Sequence, residues 1–242
     1  VAISTGSDAV IPPIEGLREA TPWTRREATS AEELPESLAV IGGGVVAVEM
    51  ATAYAALGSK VTVIARSGLL GGMEPFAGER VAAGLKELGV DVRTGAGTTS
   101  VHRGANGVTI TLDGGEEITA TEVLAATGRS PRSGDIGLDV VGLEPGRWIE
   151  TDDTLRVPGS DWLYAVGDVI GFPALAATSM EQGRLAAMHA MGEEAREMTG
   201  LQPIGIYTIP EISFVGKSEA ELTSSAVPYE VGLSRYRELA RG

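Results

Sequence analysis

The chain has 242 residues, enough for one large or two ordinary domains, and its 43% hydrophobic and 21% charged side chains are the balance of a globular protein. Its 33 acidic residues outnumber 19 basic ones, a formal net charge of -14 that repels a nucleic-acid backbone or an anionic lipid surface and leaves any phosphate-bearing ligand to a local site. Cysteine is absent, which removes disulfides, thiolate metal sites and a cysteine nucleophile, and no apolar run approaches the roughly 18 residues of a membrane span.

Residues 1–7 read as a short buried strand closed by Gly6, with neither an initiator Met nor leader-like regions, and both ends of the chain read as interior to a longer protein. Pro12, Pro13, Pro22 and Pro35 mark the next stretch as a connector. A strand over 37–41 then runs into Gly42-Gly43-Gly44 and a helix over 45–57 that Gly58 ends, the opening of a βαβ unit. The strand over 60–65 is apolar almost throughout, as a parallel strand covered on both faces should be. Val81, Leu85 and Leu88 share one face of a helix over 76–88, and a third parallel strand follows over 90–93.

Strands over 108–112 and 117–121 flank the hairpin signal Asp113-Gly114-Gly115, and a last strand over 122–127 runs to Gly128. Beyond it the pattern loosens until a strand over 162–166. Thr178 and Glu181 have capping-box spacing ahead of a helix over 180–191. Residues 193–203 read as a linker, and 204–215 open a β-rich part.

The strongest local signal fits G-x-G-x-x-A across Gly42, Gly43, Gly44, Val45, Val46 and Ala47. Gly42 permits the tight turn, Gly44 lets the backbone approach a pyrophosphate, and Ala47 lets the helix pack closely on its strand, with the helix N-terminus offering N–H groups to the phosphates. A dinucleotide in such a unit needs a ribose partner at the end of the second strand, where Ala65-Arg66-Ser67 stand and no carboxylate is available. Arg66 can pair with the 2′-phosphate of NADP and Ser67 can add a hydroxyl, which favours NADP over NAD; a surface arginine beside a loop is the alternative. Gly167-Asp168 ends another strand and brings a carboxylate to a sheet edge, where it can accept hydrogen bonds from sugar-like hydroxyls.

With Ser4-Thr5-Gly6-Ser7, Ala126-Thr127-Gly128-Arg129, Tyr164-Ala165-Val166-Gly167-Asp168 and Thr208-Ile209-Pro210-Glu211-Ile212 in order behind and around that turn, the chain resembles the flavoprotein pyridine nucleotide-disulfide oxidoreductase family. The resemblance covers essentially the whole chain. It implies an α/β fold with a Rossmann-type dinucleotide-binding domain at 31–127. The tail of a first FAD-domain segment with a linker would lie at 1–30, a second FAD-domain segment at 128–200, and the start of an α+β dimerisation domain at 201–242. It implies FAD and NADP, or NAD, as cofactors, with hydride passing between a nicotinamide nucleotide and flavin.

Thr5, Gly6 and Gly128 would lie where the chain crosses between domains, and Gly167 with Asp168 at the ribityl chain of FAD. The helix after Asp168 would aim its N-terminus at the flavin. Glu49 matches a glutamate that can touch the nucleotide, and a structural salt bridge accounts for it equally well. The full-length enzyme would be a cytoplasmic homodimer without nucleic-acid or membrane partners. The final acceptor stays open among a second nicotinamide nucleotide, a disulfide and a metal ion. The family's cysteine pair and C-terminal His-Glu pair have no counterpart in these residues, so no catalytic residue is assigned; a non-catalytic dinucleotide-binding fragment is the rival reading. His102 and His189 lie far apart without ligand-like neighbours, and no metal site is expected.

Overall fold

In the computed structural model, which describes residues 1–171, 173–195 and 203–235, two short strands, β1 (Ala2–Ile3) and β2 (Ser7–Ala9), and the helix α1 (Arg25–Ser30) precede the central unit. That unit follows as β3 (Ser37–Ile41), α2 (Val45–Leu57), β4 (Lys60–Ala65), α3 (Pro75–Glu87) and β5 (Asp91–Thr94). An antiparallel trio β6 (Thr98–Gly104), β7 (Gly107–Leu112) and β8 (Glu117–Ala120) leads into β9 (Glu122–Ala125), which completes a parallel sheet of order β5-β4-β3-β9. The chain continues through β10 (Arg129–Pro131), β11 (Tyr164–Ala165), α4 (Ala176–Ala190), the hairpin β12 (Ile204–Ile206) and β13 (Ile212–Phe214), and α5 (Glu219–Ser224).

The apolar runs of β3 and β4 follow from cover on both faces. Leu38, Val40, Val61 and Val63 pack against Val48, Ala51, Val81 and Leu85 of α2 and α3. Ala39, Ile41 and Ile64 pack on the other face against Val101, Val108 and Ile110 of the antiparallel trio. Helix α2 stops at Gly58, whose φ of 107° is open to glycine without strain and whose N–H bonds back to the Ala55 carbonyl. These elements match the sequence expectation within two residues at each end.

Other stretches differ. The connector holds α1, opened by a capping box of Thr24 and Glu27, and its Leu17 and Ala20 are fully buried under the antiparallel trio. Strand β6 was not expected, because Val101 alone among its residues is buried and its polar side chains hide the alternation. Residues 1–7 are largely open rather than buried: Val1 is 76% exposed, and β1 pairs only with β11. Helix α4 starts at Ala176 with Leu175 as its N-cap, so Thr178 sits inside the first turn, 3% exposed, and makes no capping box; Glu181 pairs with Arg184 at 2.9 Å instead.

Of the expected linker, residues 196–202 lie outside the described residues. The β12–β13 hairpin packs on the central unit. Ile206, 1% exposed, joins the α2–α3 core, while Glu49 Oε1 accepts a hydrogen bond from Tyr207 N at 3.0 Å and Glu74 Oε1 accepts one from Glu219 N at 2.8 Å. Among the described residues no helix is long and apolar enough to cross a membrane.

Candidate functional site

The carboxyl ends of β3, β4 and β9 open onto a cleft of about 660 Å³. Gly42 has φ 138°, donates its N–H to the Ile64 carbonyl at 2.9 Å, and would place a Cβ only 2.2 Å from the Ala126 carbonyl oxygen, so the turn is pinned between the ends of β4 and β9 and only glycine fits. The Gly43 carbonyl accepts from Leu70 N at 2.7 Å, and a Cβ at Gly43 would press on Ala65 Cβ at 3.1 Å. Gly44 is different: a Cβ there meets nothing within 4 Å. It is the N-cap of α2 and provides no side-chain cap, so the first N–H groups of that helix have no intrahelical acceptor and can serve an anion. Ala47, fully buried against the β3 core, holds the helix close to its strand.

Ala65, Arg66 and Ser67 border the same cleft, Ala65 buried and the other two exposed. Arg66 has no hydrogen-bond or ion-pair partner among the described residues. The cleft lining includes three arginines, Arg25, Arg66 and Arg129, and no aspartate or glutamate, in a chain whose net charge is -14. Thr98, also on the lining, has a buried Oγ1 without a hydrogen-bond partner. An open backbone cradle, a cationic rim and an unused hydroxyl are a donor set that fits a nucleotide with its phosphates at the glycine turn.

A second cluster lies beside the cleft and shares Val10, Gly128 and Arg129 with it. Strands β2 and β10 pair antiparallel; the Gly6 carbonyl accepts from Arg132 N at 2.9 Å, Thr5 Oγ1 donates to the Arg132 carbonyl at 2.6 Å, and Val10 N donates to the Gly128 carbonyl at 3.0 Å. Ser7 Oγ donates to Asp168 Oδ2 at 2.8 Å and accepts from Arg129 Nε at 2.6 Å, and Arg129 Nη2 lies 3.5 Å from the same carboxylate oxygen. Gly167, with φ 75°, donates its N–H to Gln182 Oε1 of α4 at 2.8 Å. The Asp168 side chain is 27% exposed, and its Oδ1 has no hydrogen-bond partner among the described residues. That pattern fits a carboxylate held on one oxygen and offered on the other to a polyhydroxyl chain such as that of FAD.

The structure therefore brings Thr5, Gly6, Gly167 and Asp168 into one cluster and the glycine turn with Ala65, Arg66 and Ser67 into the other, with Gly128 belonging to both. Glu49 joins neither, because its place on α2 turns its carboxylate to the backbone of Tyr207. Sequence reasoning missed Arg25, Thr98 and the second role of Arg129. Arg25 reaches the cleft because Trp23 bridges to β9, donating to the Val123 carbonyl and accepting from Ala125 N, both at 2.8 Å, a long-range pairing with no local signal.

Residues 1–183 match the family described as pyridine nucleotide-disulphide oxidoreductase. A soluble pyridine nucleotide transhydrogenase from Mycobacterium bovis BCG is 50% identical over 214 residues, which cover 87% of this chain and 46% of the relative. One from Marinobacter nauticus is 36% identical over 242 residues, covering 99% and 52%. Among solved structures, LpdA from Mycobacterium tuberculosis superposes with a TM-score of 0.81 at 28% identity, covering 93% of this chain and 50% of that one. The flavoprotein disulfide reductase RclA from Escherichia coli gives 0.80 at 26% identity, covering 92% and 52%. The chain spans about half the length of the curated relatives it matches. With residues 1–183 inside the family match, the chain belongs to the pyridine nucleotide-disulphide oxidoreductase family.

Proposed function

We propose that this chain is the nucleotide-handling part of an FAD-dependent NAD(P)H oxidoreductase that passes hydride between a nicotinamide nucleotide and flavin. The observation that carries this is the cleft: an uncapped helix start at the carboxyl edge of a parallel sheet, rimmed by arginines and free of carboxylates in an acidic protein. In this reading Gly42, Gly43, Gly44 and Val45 hold the pyrophosphate, with Ala47 setting the helix against its strand. Ala65, Arg66 and Ser67 take the adenosine ribose, where the guanidinium favours the 2′-phosphate of NADP. Gly167 and Asp168 hold FAD from the neighbouring cluster, and Thr5, Gly6 and Gly128 fix the crossings between the two. Glu49 takes the structural alternative, anchoring the Tyr207 backbone.

When bound, FAD supplies the two-electron carrier between the nicotinamide and the final acceptor. The protein's own part is to orient the nucleotide over the glycine turn and to neutralise its phosphates. The names of the relatives at 50% and 36% identity favour a second nicotinamide nucleotide as that acceptor. We assign residues 31–127 to the NAD(P) domain, 1–30 and 128–200 to the FAD domain and 201–242 to a dimerisation domain. The complete enzyme would be a cytoplasmic homodimer.

Titration calorimetry with NADPH and NADH tests the site. One charge-assisted phosphate contact contributes about 1.5–3 kcal/mol, roughly tenfold to a hundredfold in affinity, so wild type should prefer NADPH by that ratio and Arg66→Glu should lose the preference. Equal affinities in both proteins would overturn the assignment of Arg66, and failure of wild type to bind either nucleotide would overturn the reading of the cleft.

A further inference from the structure

Arg25 opens α1 and lines the cleft from the side opposite Arg66. The order of positions along the carboxyl edge of the sheet follows from the strand pairing. Thr98 stands beyond β5, Arg66 beyond β4, the glycine turn beyond β3, and residues 126–128 beyond β9. The Trp23 bridge adds one more position outside β9, and Arg25 projects from there. Two arginines thus flank the turn.

The guanidinium of Arg25 is exposed and has no hydrogen-bond or ion-pair partner among the described residues. The nearby Glu27 carboxylate is spoken for: Glu27 Oε2 accepts from Thr24 N at 2.8 Å and from Thr24 Oγ1 at 2.6 Å, which holds it at the start of α1. The Arg25 backbone is fixed in turn, since its carbonyl accepts from Thr29 Oγ1 at 2.9 Å.

We infer that Arg25 is a second anion contact of the nucleotide site, meeting the phosphate on the nicotinamide side of the pyrophosphate. The inference rests on the nucleotide reading of the cleft. With the adenosine half running toward Arg66, the other half of the dinucleotide must cross the turn toward β9, and a planar cation at that end neutralises the phosphate that the helix start does not enclose. Arg66 then discriminates between NADP and NAD, whereas Arg25 binds both alike.

The test compares Arg25→Gln, Arg25→Lys and Arg66→Gln by calorimetry with NADPH, NADH and adenosine 2′,5′-bisphosphate, which lacks the nicotinamide half. Arg25→Gln should weaken NADPH and NADH by roughly tenfold or more and leave the bisphosphate unchanged. Arg25→Lys should recover part of the loss. Arg66→Gln should do the reverse, weakening NADPH and the bisphosphate and sparing NADH. Unchanged NADPH affinity in Arg25→Gln would show a solvated surface arginine and overturn the inference, as would an equal loss for all three ligands. If wild type bound none of them, the nucleotide reading itself would fall first.

Discussion

Gly84→Ala probes how the β12–β13 hairpin sits on the central unit. In an ordinary helix interior the change stabilises by about 1 kcal/mol, because glycine leaves more backbone freedom to lose. Here the new Cβ would lie 1.7 Å from the Ile209 carbonyl oxygen, 2.8 Å from its carbon and 3.0 Å from Pro210 Cδ. A backbone carbonyl cannot rotate away as the end of a flexible side chain can, so the hairpin must lift from α3. Lifting it exposes Ile206, now 1% accessible among Val81 and Leu85, and full burial of such a side chain contributes about 1.5–3 kcal/mol. The helix gain offsets part of that loss, leaving a net destabilisation of about 1–2 kcal/mol. Urea unfolding combined with amide hydrogen exchange reads both parts, since among the described residues Tyr207 N is held by its bond to Glu49 alone. A variant stabilised by about 1 kcal/mol, with unchanged protection at 204–214, would refute the docking.

Gly42→Ala should unfold the turn and abolish nucleotide binding, because a φ of 138° and a 2.2 Å approach to Ala126 leave no room for a Cβ; Gly44→Ala should cost at most about 1 kcal/mol of stability by melting yet still weaken the nucleotide. Hydrogen bonds from the Thr24 side chain and backbone hold the Glu27 carboxyl below its ordinary value of 4.5, so its contribution is present above that pH and is lost as pH falls below it. Thr24→Ala removes the Oγ1 cap on Arg26 N and the Oγ1 bond to Glu27, so it should cost about 1 kcal/mol near neutrality, and the gap between the two melting curves should narrow without closing in acid, because the cap on Arg26 N does not titrate. The sequence has one G-x-G-x-x-A turn, assigned to the nicotinamide nucleotide, so the chain should emerge from gel filtration without flavin and should show no diaphorase turnover with NADPH; a stoichiometric yellow complex would contradict this.

The part of the fold legible in the sequence is the part whose signals are local. β3, the glycine turn, α2 and β4 each carry their own evidence: continuous apolar strands, a positive-φ glycine at each junction, and small residues where helix meets strand. α1 was legible in Thr24-Arg25-Arg26-Glu27 but was masked by the surrounding prolines. β6 hides because its faces are mostly polar, and the apolar look of residues 1–3 misleads because only Ile3 packs, on the cluster around Leu163 and Ala165, while Val1 and Ala2 are exposed. Of the site, the turn and Arg66 follow from spacing alone. Arg25 does not, since its position depends on the Trp23 bridge to β9, and the bond from Tyr207 N to the Glu49 carboxylate joins residues 158 apart, which motif position does not signal.

The most direct test of the nucleotide cleft is to map, by amide chemical-shift changes, where NADPH lands on the isotope-labelled chain. Saturable changes should centre on 42–46, 65–67 and 126–128, the residues around the carboxyl ends of β3, β4 and β9, with the amides of the first α2 turn moving most. Saturable changes confined to the groove around Arg147 and Trp148, or no binding at all, would contradict it.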